Sequence, residues 1–289
     1  MKILIIGSYG YLGSRLIIYL RNMGYKVVGI DIGYYLNTDD TKDYATIGTY
    51  EFFDVIILLA GHSSPTLCDN DVKGSIKNNV TNFSNLIYSL NKNQRLLYAS
   101  SASVCNGLVD AKETTQLNAP ISNYDCQKQI IEKISLCAEA TTIAMRFGTV
   151  AGYSENPRLD SMINSFYYDA VNTGEINVTN GENMRSYLGM NDLCEAVLSL
   201  INLDKPEKIY NIASGTDSIN NIAQKVADIT GAKINLKDGD SKYSFWVNCD
   251  RINEVVQMTD TIESICADMG DMPTKNKNIY NRNTNLFTY

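Results

Sequence analysis

The chain has 289 residues, 44% of them hydrophobic and 20% charged, which is enough for one large core or two modest ones. Its net charge of -7 and pI near 4.8 argue against nucleic acid and anionic membranes as partners, since both demand a basic face. Seven scattered cysteines without a C-x-x-C pair, and a single histidine, His62, point to reduced thiols in a cytoplasmic protein with no metal site.

The N-terminus, "MKILIIGSYG", is an apolar run that stops at Gly7, too short for an export signal or a membrane span. It opens a series of short, wholly apolar strands: "KILIIG" (2–7), "YKVVGID" (25–31), "DVIILLA" (54–60), "RLLYASS" (95–101) and "TIAMRF" (142–147). Apolar runs without alternation suit strands buried on both faces of a parallel sheet. Helical patterns alternate with them at about 10–23, 74–92 and 121–139. This rhythm predicts an α/β fold, a Rossmann-type doubly wound parallel sheet over residues 1–150.

After Gly152 the rhythm weakens. Helices near 160–173, 191–203 and 218–230 are joined by loops and by short strands such as "EINVTN" and "KIYNIAS". Residues 151–289 are expected to form mainly a smaller, mixed α/β substrate-binding cap, the helix near 191–203 returning to the first domain. A cap on a doubly wound sheet makes a cleft at the carboxyl ends of the strands, where ligands sit.

"GSYGYLG" places glycines at 7, 10 and 13, after a strand and at the start of a helix. Glycines let the backbone turn tightly beside a diphosphate, whose charge a helix N-terminus favours. The next strand ends at Asp31, where a carboxylate accepts from the ribose hydroxyls of NAD and repels the extra phosphate of NADP. No basic residue follows in "DIGYYLN", so NAD is the expected cofactor and NADP the lesser alternative.

Ser101 ends the "RLLYASS" strand, and Tyr124 and Lys128 lie one helical turn apart in "YDCQK". A free phenol titrates near 10, too high for a base at neutral pH; a nearby ammonium lowers it. With Ser101 holding the same substrate oxygen, the three form a candidate catalytic set. They would move a carbinol proton while its hydride passes to nicotinamide.

In order, "GSYGYLG", "LLAGHSS", "NNVTNFSNLI", "YASSASV", "YDCQK", "MRFGTVAG", "RSYLGMND" and "YNIASG" resemble the extended short-chain dehydrogenase/reductase family. The likeness is to its NAD-dependent sugar-nucleotide epimerases and dehydratases, the group that includes UDP-galactose 4-epimerase. The resemblance implies that Tyr11 and Leu12 touch the diphosphate, while Leu59, Ala60, Gly61, His62 and Ser63 run beneath the cofactor. It places Asn78 near the nicotinamide-side ribose, gives Lys128 both that ribose and Tyr124, and puts Gly148 and Thr149 at the border of cofactor and substrate. Arg185 would hold the diphosphate of a sugar nucleotide by a forked contact. His62 reads as a neighbour of the cofactor rather than a base.

Four departures stand out. Only 22 residues separate Asp31 from the third predicted strand, fewer than the family spends on its own third strand and helix. Cys105 replaces a family tyrosine and is expected to be a buried, inert thiol, Gly189 replaces a family His or Tyr, and both are expected to bear on the sugar pocket. The C-terminal cap is short.

The implied function is an NAD-dependent epimerase with tightly held NAD. A 4-keto-sugar reductase or dehydrogenase uses the same three residues, and a non-catalytic NAD-binding regulator is the alternative from another class. Dehydratases of the family carry an Asp-Glu pair after the serine strand, where this chain reads "SASVCNG". A homodimer is implied through the helices at 74–92 and 121–139, the first carrying Ile76, Val80, Phe83, Ile87 and Leu90, the second Ile130, Ile131, Ile134 and Leu136.

Overall fold

Each apolar run of the first half divides its side chains between two faces, because successive residues of a strand point in opposite directions. In β1 (Lys2–Ile6), Ile3 and Ile5 enter one core while Leu4 and Ile6 enter another. A computed structural model describes residues 1–32, 42–237, 239 and 243–270. Residues 33–37 of "DIGYYLN" and the polar tail at 274–285 lie outside them.

The first half continues with α1 (Tyr11–Asn22), β2 (Lys26–Ile30), β3 (Val55–Leu58), α2 (Pro65–Asn70), α3 (Val72–Ile76) and α4 (Phe83–Ser89). Then come β4 (Arg95–Ser101), α5 (Asn123–Ser135), β5 (Thr141–Phe147) and β6 (Thr149–Ala151). The second half contains α6 (Met162–Thr173), β7 (Glu175–Thr179), β8 (Met184–Gly189), α7 (Met190–Asn202), β9 (Ile209–Ile212) and β10 (Gly215–Ser218). It ends with α8 (Ile219–Thr230), β11 (Lys233–Lys237), α9 (Asp250–Asn253) and α10 (Ile262–Met269).

Six strands form one parallel sheet in the order β2-β1-β3-β4-β5-β9. Leu16 and Leu20 of α1 and Leu193, Val197 and Leu200 of α7 cover one face. Phe83, Leu86 and Ile87 of α4 and Ile131 of α5 cover the other. Helices on both faces make this the doubly wound, Rossmann-type sheet. Each fully buried Leu or Ile contributes roughly 1.5–3 kcal/mol relative to its exposed state.

Two features were not legible in the chain. "KIYNIAS" reads as part of the cap, yet it supplies β9, the sixth strand of the large sheet. The helix expected at 74–92 is broken: Asp71 starts α3 afresh by accepting from the Gly74 amide at 2.9 Å, and a π-helical turn at Lys77–Asn82 precedes α4. The wider turn carries Asn79 inward, and π-turns of this kind collect at functional sites. Its apolar stripe also splits, with Phe83, Ile87 and Leu90 buried and Ile76 exposed.

Between Asp31 and β3 the described residues hold only a 3-10 turn at Tyr44–Thr46. A second sheet of order β10-β8-β6 and a two-stranded pair β11-β7 belong to a separate core built on α6, α8 and α10. The chain passes from β5 to β6 at Gly148, where a Cβ would stand 2.9 Å from the Ser186 carbonyl oxygen. That close approach sets Thr149 opposite Tyr187, two residues from Arg185, and closes one end of the cleft.

Candidate active site

The glycine loop leads from the carboxyl end of β1 into α1, and its Gly7 and Ser8 amides donate to the Ile30 carbonyl at the end of β2 at 2.9 and 3.2 Å. Gly7 has φ +90°, and a Cβ there would lie 2.6 Å from the Ala60 nitrogen. At Gly13 a Cβ would lie 2.0 Å from the Gly7 carbonyl oxygen. Gly10 caps α1 without a side-chain acceptor, and the first turn has no acid. Its leading N–H groups, those of Tyr11 and Leu12 among them, therefore face an anion's place with no competing carboxylate. Asp31 is buried and takes the Tyr9 amide at 3.0 Å, which ties the end of β2 to the loop. A glycine cradle with an open helix N-terminus beside a carboxylate fits the diphosphate and ribose of NAD.

The loop after β3 is pinned to the same place, Leu59 and Ala60 donating to the Ile6 carbonyl at 2.9 and 3.0 Å. Asn79 braces it: its side chain accepts from the His62 amide at 2.8 Å and donates to the His62 carbonyl at 3.1 Å. Gly61, at φ +153°, leaves room for that amide, its Cβ position lying 2.8 Å from Asn79 Oδ1. The His62 ring is buried against Asn78, at 3.4 Å, and Asp71, at 3.7 Å, and burial lowers its pKa. Neither His62 nor Asn78 reaches the cleft wall; the neighbour Asn79 does the bracing, a role its sequence position did not reveal.

Beyond these loops opens a cavity of about 350 Å³. Tyr11, Leu12, Ser63, Ser101, Tyr124, Lys128, Gly148, Thr149 and Arg185 all line it. Ser101 stands at the end of β4. Ser122 caps α5 by accepting from the Asp125 amide at 3.1 Å, which fixes the first turn carrying Tyr124 and aims Lys128 back at the sheet. Lys128 is buried and donates to the Ala99 carbonyl at 2.6 Å.

The electrostatics differ from the simple expectation. Burial pushes the Tyr124 phenol up to about 12, while Ser101 and the Arg158 charge hold it down. Burial drives Lys128 down to about 8. Arg158 lowers the phenol, and the Lys128 ammonium stands 5.5 Å from the centroid of the Tyr124 ring. Arg158 also donates to Ser63 at 3.3 Å and pairs with Asp160 at 2.9 Å.

Arg185 sits in the far wall with its guanidinium 5.1 Å from the centroid of Phe245. It donates to the Tyr243 carbonyl, and burial lowers its pKa to about 10. Sequence reasoning missed Ser103, Arg158, Tyr243 and Phe245, all in the wall. Only the proximity of Ser103 to Ser101 was a usable signal; the others arrive from the cap by folding.

Two departures turn out to lie elsewhere. Cys105 is fully buried beside Ala102, Val104 and Val247, and burial raises its thiol to about 11. Gly189 starts α7, and a Cβ there would collide with Asp260 Oδ2 at 2.0 Å. Asp260 caps that helix by accepting from the Asp192 amide at 3.0 Å. Neither position lines the cleft, and both are packed against their neighbours.

Residues 3–213 match the model of the NAD dependent epimerase/dehydratase family. The chain is 29% identical over 249 residues to Protein CapI of Staphylococcus aureus, covering 75% of this chain and 73% of that protein. It is 26% identical over 278 residues to UDP-glucose 4-epimerase of Lactobacillus helveticus, covering 81% and 83%. Among solved structures, MoeE5 in complex with UDP-glucose and NAD superposes with a TM-score of 0.81 at 22% identity, over 93% of this chain and 97% of that one. That last likeness is one of fold. The family match spans most of the chain, and its glycine cradle fits the cofactor the family uses: the protein is an enzyme of the NAD-dependent epimerase/dehydratase family.

Proposed function

We propose that this enzyme epimerises a UDP-linked hexose by transient oxidation of a sugar carbinol. What supports the reading most is the meeting of Ser101, Tyr124 and Lys128 on one wall of a cleft whose other wall carries Thr149 and Arg185. The UDP handle is argued from the relatives, a UDP-glucose 4-epimerase and the UDP-glucose complex of MoeE5.

In this reading Gly7, Gly10, Tyr11, Leu12 and Gly13 hold the diphosphate of NAD, Asp31 its ribose, and Leu59 to Ser63 its underside. When bound, NAD supplies a reversible hydride acceptor. Tyr124 takes the carbinol proton and later returns it, and Ser101 keeps the carbinol oxygen in line. Lys128 anchors the nicotinamide ribose. Arg185, with Thr149 beside it, receives the charged end of the nucleotide. With NAD held there, hydride given back to the opposite face of the sugar would give the epimer. Elimination of water is disfavoured because "SASVCNG" offers no carboxylate at the end of the serine strand.

The test is to denature the purified protein, identify any released dinucleotide, and screen UDP-, GDP-, dTDP- and CDP-sugars for thermal stabilisation. Retained NAD with stabilisation by a UDP-sugar is expected. Cofactor that binds only when supplied would favour a reductase or dehydrogenase, and no dinucleotide binding would overturn the reading. We read the enzyme as cytoplasmic, on its seven scattered, unpaired cysteines, and as a homodimer, on the exposed apolar residues Ile76, Ile130 and Leu136; a monomeric mass by light scattering would refute the dimer.

A further inference from the structure

Asp125, in the first turn of α5, is only 1% exposed. No Lys or Arg among the described residues lies within ion-pair distance of it. Buried carboxylates are ordinarily matched by a cation. This one has the positive end of a helix dipole and three hydroxyls instead: Ser103 donates to Oδ1 at 2.6 Å, and Ser122 and Tyr243 donate to Oδ2 at 2.9 Å each.

A hydroxyl has one proton to give and two lone pairs to receive with. Because a carboxylate only accepts, the protons of Ser103 and Tyr243 are both committed to Asp125. The 2.8 Å contact between Ser103 and Ser101 is then donated by Ser101. Ser103 and Tyr243 also line the cleft, together with Ser101. Whatever meets either oxygen from the cleft must bring its own proton. The cations of the wall do not offset this. Lys128 donates to Ala99 at 2.6 Å, Arg158 is matched by Asp160 at 2.9 Å, and Arg185 serves the nucleotide in the function proposed above.

We propose that Asp125 sets the sense of hydrogen bonding in the sugar pocket, so that the pocket takes a hexose with a hydroxyl beside the reacting carbon and turns away a hexuronate. This rests on the reading that Ser101 meets the reacting carbinol. Ser103 is in contact with Ser101, so the group that Ser103 meets is a substituent next to that carbinol. A hydroxyl there gives its proton to the Ser103 oxygen. When Ser101 turns its own proton to the carbinol oxygen, the substrate hydroxyl takes the place that Ser101 leaves on Ser103. A carboxylate in the same position would set lone pairs against lone pairs, with the buried charge of Asp125 one hydrogen bond behind them. A pocket discriminates by such unpaired groups more strongly than by any contact it adds. Asp125 itself touches no substrate; it is a positioning residue that acts through Ser103 and Tyr243.

The test measures kcat/KM and Kd of the full-length, NAD-loaded protein for UDP-glucose, UDP-galactose and UDP-glucuronate. Wild type is expected to favour the two hexoses over the uronate by about 100-fold or more. In Asp125→Asn the charge is gone, the new amide nitrogen donates to Ser103, and the Ser103 proton turns to the cleft. The hexose-to-uronate ratio is expected to fall about 30-fold in that variant. Adding Ser103→Ala should abolish the gain, because no proton is left to offer. Ser103→Ala alone keeps the Asp125 charge and should lose about 10-fold on the hexoses while gaining nothing on the uronate. A variant that is merely less stable loses rate toward all three sugars and leaves their ratio in place. An unmoved ratio in Asp125→Asn, a gain that survives the double substitution, or a wild type that takes UDP-glucuronate as readily as UDP-glucose would overturn the proposal. Selective binding of the hexoses without turnover would instead overturn the epimerase reading and leave the selectivity standing.

Discussion

The ammonium of Lys128 stands 5.5 Å from the centroid of the Tyr124 ring and donates its hydrogen bond to Ala99, at 2.6 Å. This buried cation is a burden on the folded protein before any cofactor binds. Its pKa is lowered from 10.5 to about 8, so between those values the unfolded chain holds the proton that the folded chain has shed. Stability attributable to this group therefore rises with pH across that window and is least below it. A shift of this size amounts to about 3 kcal/mol at 1.36 per unit, less about 1 for the lost bond to Ala99. Lys128→Met should accordingly be about 2 kcal/mol more stable than wild type in urea at pH 7, with the gap narrowing toward pH 10 and activity lost. A gap that is constant with pH would show that the lysine is not strained by burial.

Gly13 is where helix α1 meets the loop below it. Gly13→Ala puts a methyl group 2.0 Å from the Gly7 carbonyl oxygen, a backbone atom that no rotamer change relieves. The expected cost is about 3 kcal/mol, with loss of retained dinucleotide measured after denaturation. Retention of NAD at wild-type levels would argue against the cradle as described.

Gly189 tests a different claim. A Cβ there meets Asp260 Oδ2 at 2.0 Å, so Gly189→Ala should destabilise by about 2 kcal/mol through the cap of α7 and leave KM for the sugar nucleotide unchanged. A changed KM with unchanged melting temperature would return this position to the substrate pocket.

Glu132 and Arg146 pair at 2.7 Å beside β4, and Ser100 donates to the same carboxylate at 2.6 Å. Both charged side chains are buried. Removing one partner strands the other: Glu132→Ala is expected to cost about 4 kcal/mol, read as a fall in the urea midpoint. A loss under about 1 kcal/mol would mean that water reaches Arg146.

The large sheet was legible because an unalternating apolar run has few other uses than a strand covered on both faces, and five such runs stood in order. β9 escaped because "KIYNIAS" is short and stands amid cap elements; only pairing with β5 assigns it. The glycine loop and the placing of Tyr124 and Lys128 on one helix face could be read because they lie in local spacing, and folding brings Ser101 to the same cleft. The hydroxyl partners of Asp125 could not, since Tyr243 comes from 118 positions away and Ser103 reads as an ordinary turn residue. Cys105 is the buried thiol expected of it, while Gly189 packs against Asp260; a substitution in a motif signals a changed pocket only when the residue faces the pocket.

One measurement reaches the central claim most directly. UDP-glucose carrying deuterium on the hexose C4 is incubated with the purified enzyme, and the product is examined by proton NMR. The account predicts UDP-galactose with the label still on C4 and no accumulation of NADH, because the hydride leaves and returns within one bound cycle. Label released into free NADH or solvent, or a sugar left unconverted, would contradict it.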